Sequence, residues 1–230
     1  MRRIAALFAL AALTGCGSGG PNPIVQAAWD EAQGFWTNEP ADTTGGAPPR
    51  ALTRTDIETA DVAAIWARLE SDPRPTLLYA SAQNGAHVTY FSAFRQSIVL
   101  RGSQVTGTRG LGWDLLSAWS DPQDPLARTT PPASWPAAVE RTYEFPADGP
   151  RGLIETYQCR FERGPAREMV ILQRRHVGVE FSETCVGPSG TFENLHFADA
   201  STGFVWRSLQ WTGPKMELID LQILEPYTGG

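Results

Sequence analysis

The chain is poor in the residues that build metal and redox centres: its 230 residues include three cysteines, three histidines and three methionines. His87, His176 and His196 are scattered and share no ligand spacing with Cys159 and Cys185, which excludes a recognisable zinc site. Catalytic signatures are missing as well. There is no Gly-x-Ser-x-Gly elbow, no His-Glu-x-x-His, no phosphate loop and no dinucleotide fingerprint after a strand. Basic charge is in deficit, with 19 Lys and Arg against 25 Asp and Glu, so the basic stripe that nucleic-acid binding needs is absent. Beyond residue 15, charge, Gly or Pro interrupts every apolar run within a few residues, far short of the roughly 20 needed for a bilayer-spanning helix. Carboxylates are plentiful, but Glu155, Glu180, Glu183 and Glu193 show no spacing that selects a glycosidase pair. The sequence therefore assigns no catalytic residue, no cofactor site and no metal site.

What is present begins at the N-terminus. Met1-Arg2-Arg3 precedes an unbroken apolar run from Ile4 to Leu13. A basic start, a short apolar stretch and small residues at the cut make a secretory signal peptide. Leu13-Thr14-Gly15-Cys16 also resembles the lipobox of bacterial lipoproteins. That resemblance implies that residues 1–15 are removed and that Cys16 becomes the first mature residue, lipidated (palmitate among the acyl groups) on its sulfur and its amine. Residues 16–21 then form a lipidated tether, flexible because it is built from Gly, Ser and Pro. The mature chain has 17 basic against 25 acidic residues and no polybasic segment beside Cys16. Acyl chains must therefore supply the anchor, and two or more are needed for stable attachment.

Residues 22–230 read as one domain. Asn22-Pro23 is a helix-start pair, and Val25, Trp29, Ala32 and Trp36 recur at helical spacing, which predicts an amphipathic helix over 23–36. Thr37–Arg50 is a loop. Val62, Ile65, Trp66 and Leu69 predict a second helix, ending at Asp72-Pro73. From Pro75 the texture changes to strand and turn. Thr76–Gln83 and Ala86–Phe94 flank Asn84-Gly85, a strong hairpin signal. Gln96–Arg101 and Gln104–Thr108 follow, and a corner of Thr108-Arg109-Gly110-Leu111-Gly112 opens a short helix through Trp119. After a long loop with five prolines (Asp121–Pro136), strands resume at Ala138–Phe145, Leu153–Phe161, Arg167–Arg174 and Val177–Cys185. Thr191–Ala198, Phe204–Trp211 and Met216–Leu224 complete the set. Turns are placed at Asp148-Gly149-Pro150, Arg163-Gly164-Pro165, Gly187–Gly190 and Gly213-Pro214. The fold class is mainly β: a curved antiparallel sheet, as a meander, half-barrel or sandwich, with an N-terminal helix and short helical insertions.

In an oxidising compartment Cys159 and Cys185 form a disulfide. Tyr157, Cys159 and Phe161 share one strand face, and Val177, Val179, Phe181 and Cys185 share another, so both thiols point to the apolar side. The simplest meander objects, because an intervening strand holds the Cα atoms about 10 Å apart, beyond the roughly 7 Å a disulfide spans. Either the chain near Cys185 folds across or the strand order is not sequential. The eight tryptophans are the unusual part of the composition. Indole rings stack on sugar C–H faces, or bury large areas as core anchors. Trp29, Trp36 and Trp66, on helical stripes, read as anchors; Trp135, in a proline-rich loop, is the candidate for an exposed glycan-stacking platform. Arg109 and Asp114 read as a buried pair that locks the glycine corner rather than as catalysts.

Val105–Leu115 as a whole resembles the Thr-Arg-Gly-Leu-Gly-x-Asp-Leu signature of the YjbF/GfcB family of exopolysaccharide- and capsule-associated lipoproteins, through Thr108, Arg109, Gly110, Leu111, Gly112 and Asp114. Phe192-Glu193-Asn194, Gly203, Trp206, Ser208, Gln210, Trp211, Gly213 and Pro214 follow that family's C-terminal pattern, and Cys159 and Cys185 fall where its cysteines lie. Leu195-His196 departs from the Tyr-Trp expected there. The resemblance implies a curved antiparallel sheet and a non-enzymatic lipoprotein, anchored in the outer membrane and facing the periplasm, that assists exopolysaccharide or capsule secretion. It implies partners too: an outer-membrane β-barrel protein, a soluble periplasmic protein and the polysaccharide. A different reading is a carrier for an apolar or lipid-linked ligand in a half-barrel cavity.

Overall fold

The computed structural model describes residues 51–69, 75–147, 152–216 and 218–229. Cys16, the tether, the helix expected over 23–36 and the turn at 148–150 lie outside them.

The described chain begins with a short helix, α1 (Arg54–Ala60). A reciprocal capping box opens it: the Thr53 side chain accepts from the Asp56 amide, and the Asp56 carboxylate accepts from the Thr53 amide at 2.8 Å. Asp61, in the left-handed region (φ 49°), ends it. Twelve strands follow: β1 (Ala64–Leu69), β2 (Thr76–Asn84), β3 (His87–Phe91), β4 (Ser97–Arg101), β5 (Gln104–Arg109) and β6 (Ser117–Ser120). After a 3₁₀ turn at Pro132–Ser134 come β7 (Ala138–Phe145), β8 (Leu153–Ile171), β9 (Arg174–Gly187), β10 (Gly190–Asp199), β11 (Val205–Trp211) and β12 (Leu218–Glu225). They form one antiparallel sheet in the order β5-β4-β3-β2-β1-β12-β11-β10-β9-β8-β7-β6. Two meanders run in opposite directions from a central seam where β1 pairs with β12. The sheet curls until its outer strands approach, giving the curved antiparallel architecture expected, as a nearly closed barrel.

Two expected helices are strands. Ala64–Leu69 is β1 because both of its faces are covered: Ile65 and Ala67 enter the barrel interior, while Ala64 and Trp66 meet α1 and the tip of the β8–β9 hairpin outside. A strand buried on both faces loses its alternation and imitates helical spacing. The segment leading to Trp119 is likewise β6, paired to β7, with Trp119 exposed. The hairpin at Asn84 forms with a two-residue loop, Gly85-Ala86, between paired Asn84 and His87.

The largest correction concerns β8. Arg163-Gly164-Pro165 is not a turn but a bulge inside a 19-residue strand. Proline is tolerated there because β7 stops pairing at Arg160, leaving that edge of β8 free. The real turn is Leu172-Gln173, two non-glycine residues at φ 40° and 67°. Such a turn normally wants Asn-Gly. Here the burial of Leu172 in a small outer core with Ile57, Ala64, Leu77 and Leu224, and a bond from the Arg54 amide to the Gln173 side chain, offset its cost. The β8–β9 hairpin is therefore a long arm whose tip is fastened to α1.

This register removes the objection to the disulfide. With no strand between them, Cys159 and Cys185 are direct cross-strand partners, 4.0 Å apart at Cα, bonded and fully buried in the barrel interior. Around them the interior is filled by Ile65, Leu78, Tyr90, Ile98, Leu100, Tyr143, Phe145, Tyr157, Ile219 and Leu221. Closing a 26-residue separation stabilises by ~3 kcal/mol on the chain-entropy model. The double variant Cys159→Ala/Cys185→Ala should lose about that much in urea unfolding; an unchanged midpoint would show that the bond does not constrain the unfolded chain.

Candidate functional site

The two family-like motifs converge on the gap where β5 and β6 fail to pair. At the glycine corner Asp114 organises the backbone: its carboxylate accepts from the Gly110 amide (2.8 Å), the Leu111 amide (3.1 Å) and the Thr108 hydroxyl (3.1 Å). Arg109 does not pair with Asp114, as the sequence suggested. It donates instead to the carbonyls of Thr108 (2.5 Å) and Leu115 (2.9 Å), so two separate locks hold one corner. Gly110 sits at φ 80° with the Arg95 carbonyl 3.0 Å from where a Cβ would be, so any other residue there is strained.

Gln210 reaches across the barrel. Its side-chain oxygen accepts from the Val105 amide (3.0 Å) and its nitrogen donates to the Ser103 carbonyl (2.7 Å) and Ser208 Oγ (2.7 Å). It thus serves as the missing neighbour of edge strand β5. Trp211 stacks on Phe192 at 4.0 Å and meets Tyr143, Phe145 and Tyr157 edge-on. Gly213, beside the Phe145 ring, and Pro214 turn the chain toward β12. These contacts of the motif residues shape the fold at the gap.

A second assembly is a buried polar network missed at the sequence level except as scattered acids. Arg141 on β7 donates to Glu183 (2.7 Å) and lies 2.6 Å from Asp124. Glu183 on β9 also accepts from Asn194 (2.8 Å) and contacts His196 Nε2 (3.0 Å) on β10. Asn194 in turn accepts from the Trp211 amide (2.8 Å). Burial alone would raise the Glu183 carboxyl, but the Arg141 charge and the bonds from His196 and Asn194 outweigh it and hold it at about 2. The Arg141 guanidinium is held more firmly protonated than usual: desolvation opposes this, and Glu183 and Asp124 overcome it. The side chains of Glu183 and His196 are fully enclosed. The Cys159 and Cys185 sulfurs and a Glu183 oxygen lie within 4.8 Å of one another, but the sulfurs are spent on the disulfide.

Trp135 is half-buried above this network. One face stacks on Phe181 at 3.9 Å, Phe161 abuts it edge-on, and its N–H donates to the Thr130 carbonyl at 2.8 Å. The platform expected there is therefore only partly open.

A concave feature lies on the outer face, where the β8–β9 arm crosses the sheet. A groove of about 390 Å³ is bounded by Gly164 and Met169 of the arm and by strands β9, β10, β11, β12 and β1. One cross-strand row, Ser182–Leu195–Leu209–Asp220–Arg68, runs beneath it. Asp220 is buried and takes a two-pronged bond from Arg207 (2.8 Å twice) and a third from Arg68 (2.8 Å). Burial pushes the Asp220 carboxyl up, and the bonds and charges of Arg207 and Arg68 hold it below the usual carboxylate range. Both arginines stay about two-fifths exposed. Sequence reading passed over this trio. Its available signal was a lone Asp inside the apolar run Leu218-Ile219-Asp220-Leu221, which must find a cation to be tolerated.

The Glu183 network predicts a pH signature. Because the folded carboxyl is depressed, its contribution is complete above about 4.5, the ordinary value, and is lost as pH falls through about 2. Glu183→Gln should destabilise the fold at neutral pH by about 3–5 kcal/mol, since Arg141 loses a buried partner. In urea unfolding the gap between parent and variant should narrow over that pH window; a constant gap would contradict the assignment.

Comparison with known proteins places this architecture. The sequence profile of YjbF, the group 4 capsule polysaccharide lipoprotein GfcB, matches residues 29–224. Functionally curated proteins yield no match. Among solved structures, the crystal structure of the hypothetical lipoprotein YmcC from Escherichia coli (K12) is similar, with a TM-score of 0.68 at 15% identity, covering 92% of this chain and 98% of that one. That likeness speaks to the fold. On the extent of the profile match, the chain belongs to the YjbF/GfcB family of group 4 capsule polysaccharide lipoproteins.

Proposed function

We propose that this protein is a lipid-anchored, periplasm-facing accessory component of exopolysaccharide or capsule secretion that works without catalysis. The family match over residues 29–224 carries the reading. The chemistry supports it: the carboxylate–imidazole pair of Glu183 and His196 is sealed inside the barrel and committed to Arg141 and Asn194. Lipid on Cys16 holds the domain at the membrane, and Gly17 rather than Asp beside it favours sorting to the outer membrane. No helix among the described residues is long and apolar enough to cross a bilayer. The partners are an outer-membrane β-barrel protein and a soluble periplasmic protein of the same system. The carrier reading is disfavoured because aliphatic and aromatic side chains fill the barrel interior where a ligand would sit.

Deleting the gene should abolish or sharply reduce surface polysaccharide under conditions that induce its production. Unchanged polysaccharide would refute the export role. Restoring the gene as Cys16→Ser should give a folded domain that does not complement the deletion; full complementation would show that anchoring is dispensable.

A further inference from the structure

We propose that the groove beneath the β8–β9 arm binds a saccharide bearing a carboxylate, a uronic-acid unit, through Arg207 and Arg68. The inference rests on the polysaccharide reading above and names the ligand chemistry and the surface that meets it.

Charge accounting comes first. Two guanidiniums share the single carboxylate of Asp220, while Glu180 on the groove wall is taken by Arg167 at 2.8 Å. One positive charge is left over, in a chain whose formal charge is −6. Such a local reversal of sign, in a concave site walled by protein, concentrates anions. Geometry comes second. Arg207 uses Nε and Nη2 on Asp220, which fixes the plane of its guanidinium and leaves Nη1 to donate. Arg68 uses only Nη2. A planar fork held in place in advance loses little entropy when it takes a second carboxylate.

The floor adds the apolar part of the recognition. Leu195 is 51% exposed beside Leu209, a surface suited to the C–H face of a pyranose. A volume of about 390 Å³ lies within the range of about 300–1,000 Å³ typical of ligand sites. The arm supplies the opposite wall through Met169, and its tip is pinned by Ile171 and Leu172. The site is therefore walled on two sides by elements that the rest of the fold holds fixed.

The test is calorimetric titration of the mature full-length protein with short oligogalacturonates and with the same oligomers methyl-esterified. The acid form should bind, more weakly as salt is raised, and esterification should weaken binding by about tenfold or more. Arg207→Gln should produce a comparable loss. Leu195→Asp, at an exposed position, should also do so while leaving thermal unfolding unchanged, so it decides the matter even if Arg207→Gln fails to fold. No binding of the acid form, equal binding of the ester, or undiminished binding by Leu195→Asp would overturn the proposal. Such a result, combined with loss of surface polysaccharide on gene deletion, would remove this site and leave the secretion role standing.

Discussion

An antiparallel sheet that does not close its hydrogen-bond ladder leaves two edges, and the architecture of this protein depends on how those edges are satisfied. Strand β5 would expose the Val105 amide inside the barrel, where an unpaired donor costs about 1–3 kcal/mol. Gln210 answers it from the far side of the interior, taking the Val105 amide and the Ser103 carbonyl with one carboxamide. Further along β5, the Thr108 amide bonds the Leu115 carbonyl of the glycine corner. At the other end the Ser103 amide bonds Leu126 of the long loop. Side chains and loops thus replace the ladder that β5 and β6 do not make. This also blunts edges that would otherwise invite pairing with other chains.

The same loop ties the gap to the buried charges. Asp124, two residues before Leu126, caps the Leu126 amide and faces Arg141, which reaches Glu183, Asn194 and finally the Trp211 backbone. Loop closure, disulfide neighbourhood and C-terminal motif are therefore one connected network. Buried ion pairs of this sort are weak sources of net stability but are costly to break singly. Here they join β7, β9 and β10 to the long loop at Asp124. Curvature carries the β8–β9 arm over the outer face, and the arm walls a concavity there.

Much of this was legible in the sequence. Turn chemistry located nearly every strand from β2 onward, because Gly and Pro punctuate them. The alternation around Tyr157–Cys159–Phe161 and Phe181–Cys185 assigned both thiols to the interior. The failures have physical causes. Ala64–Leu69 is covered on both faces, so its pattern matched a helix as well as a strand. Gly164-Pro165 carries a turn signal, yet a free strand edge let it persist as a bulge. Leu172-Gln173 carries none, because tertiary burial rather than local preference holds that turn. The groove was hidden for a related reason: Arg207 and Asp220 face each other across the neighbouring strands β11 and β12, but Arg68 comes from the far end of the described chain, and only the β1–β12 seam brings it to them.

The central claim is that the Gln210 side chain substitutes for a neighbouring strand and thereby closes the sheet. Amide hydrogen exchange on the parent and on Gln210→Ala tests it most directly. The account predicts that the Val105 amide is strongly protected in the parent and exchanges much faster in the variant, while amides in β9 and β10 keep their protection. Unchanged protection at Val105 in Gln210→Ala would contradict it.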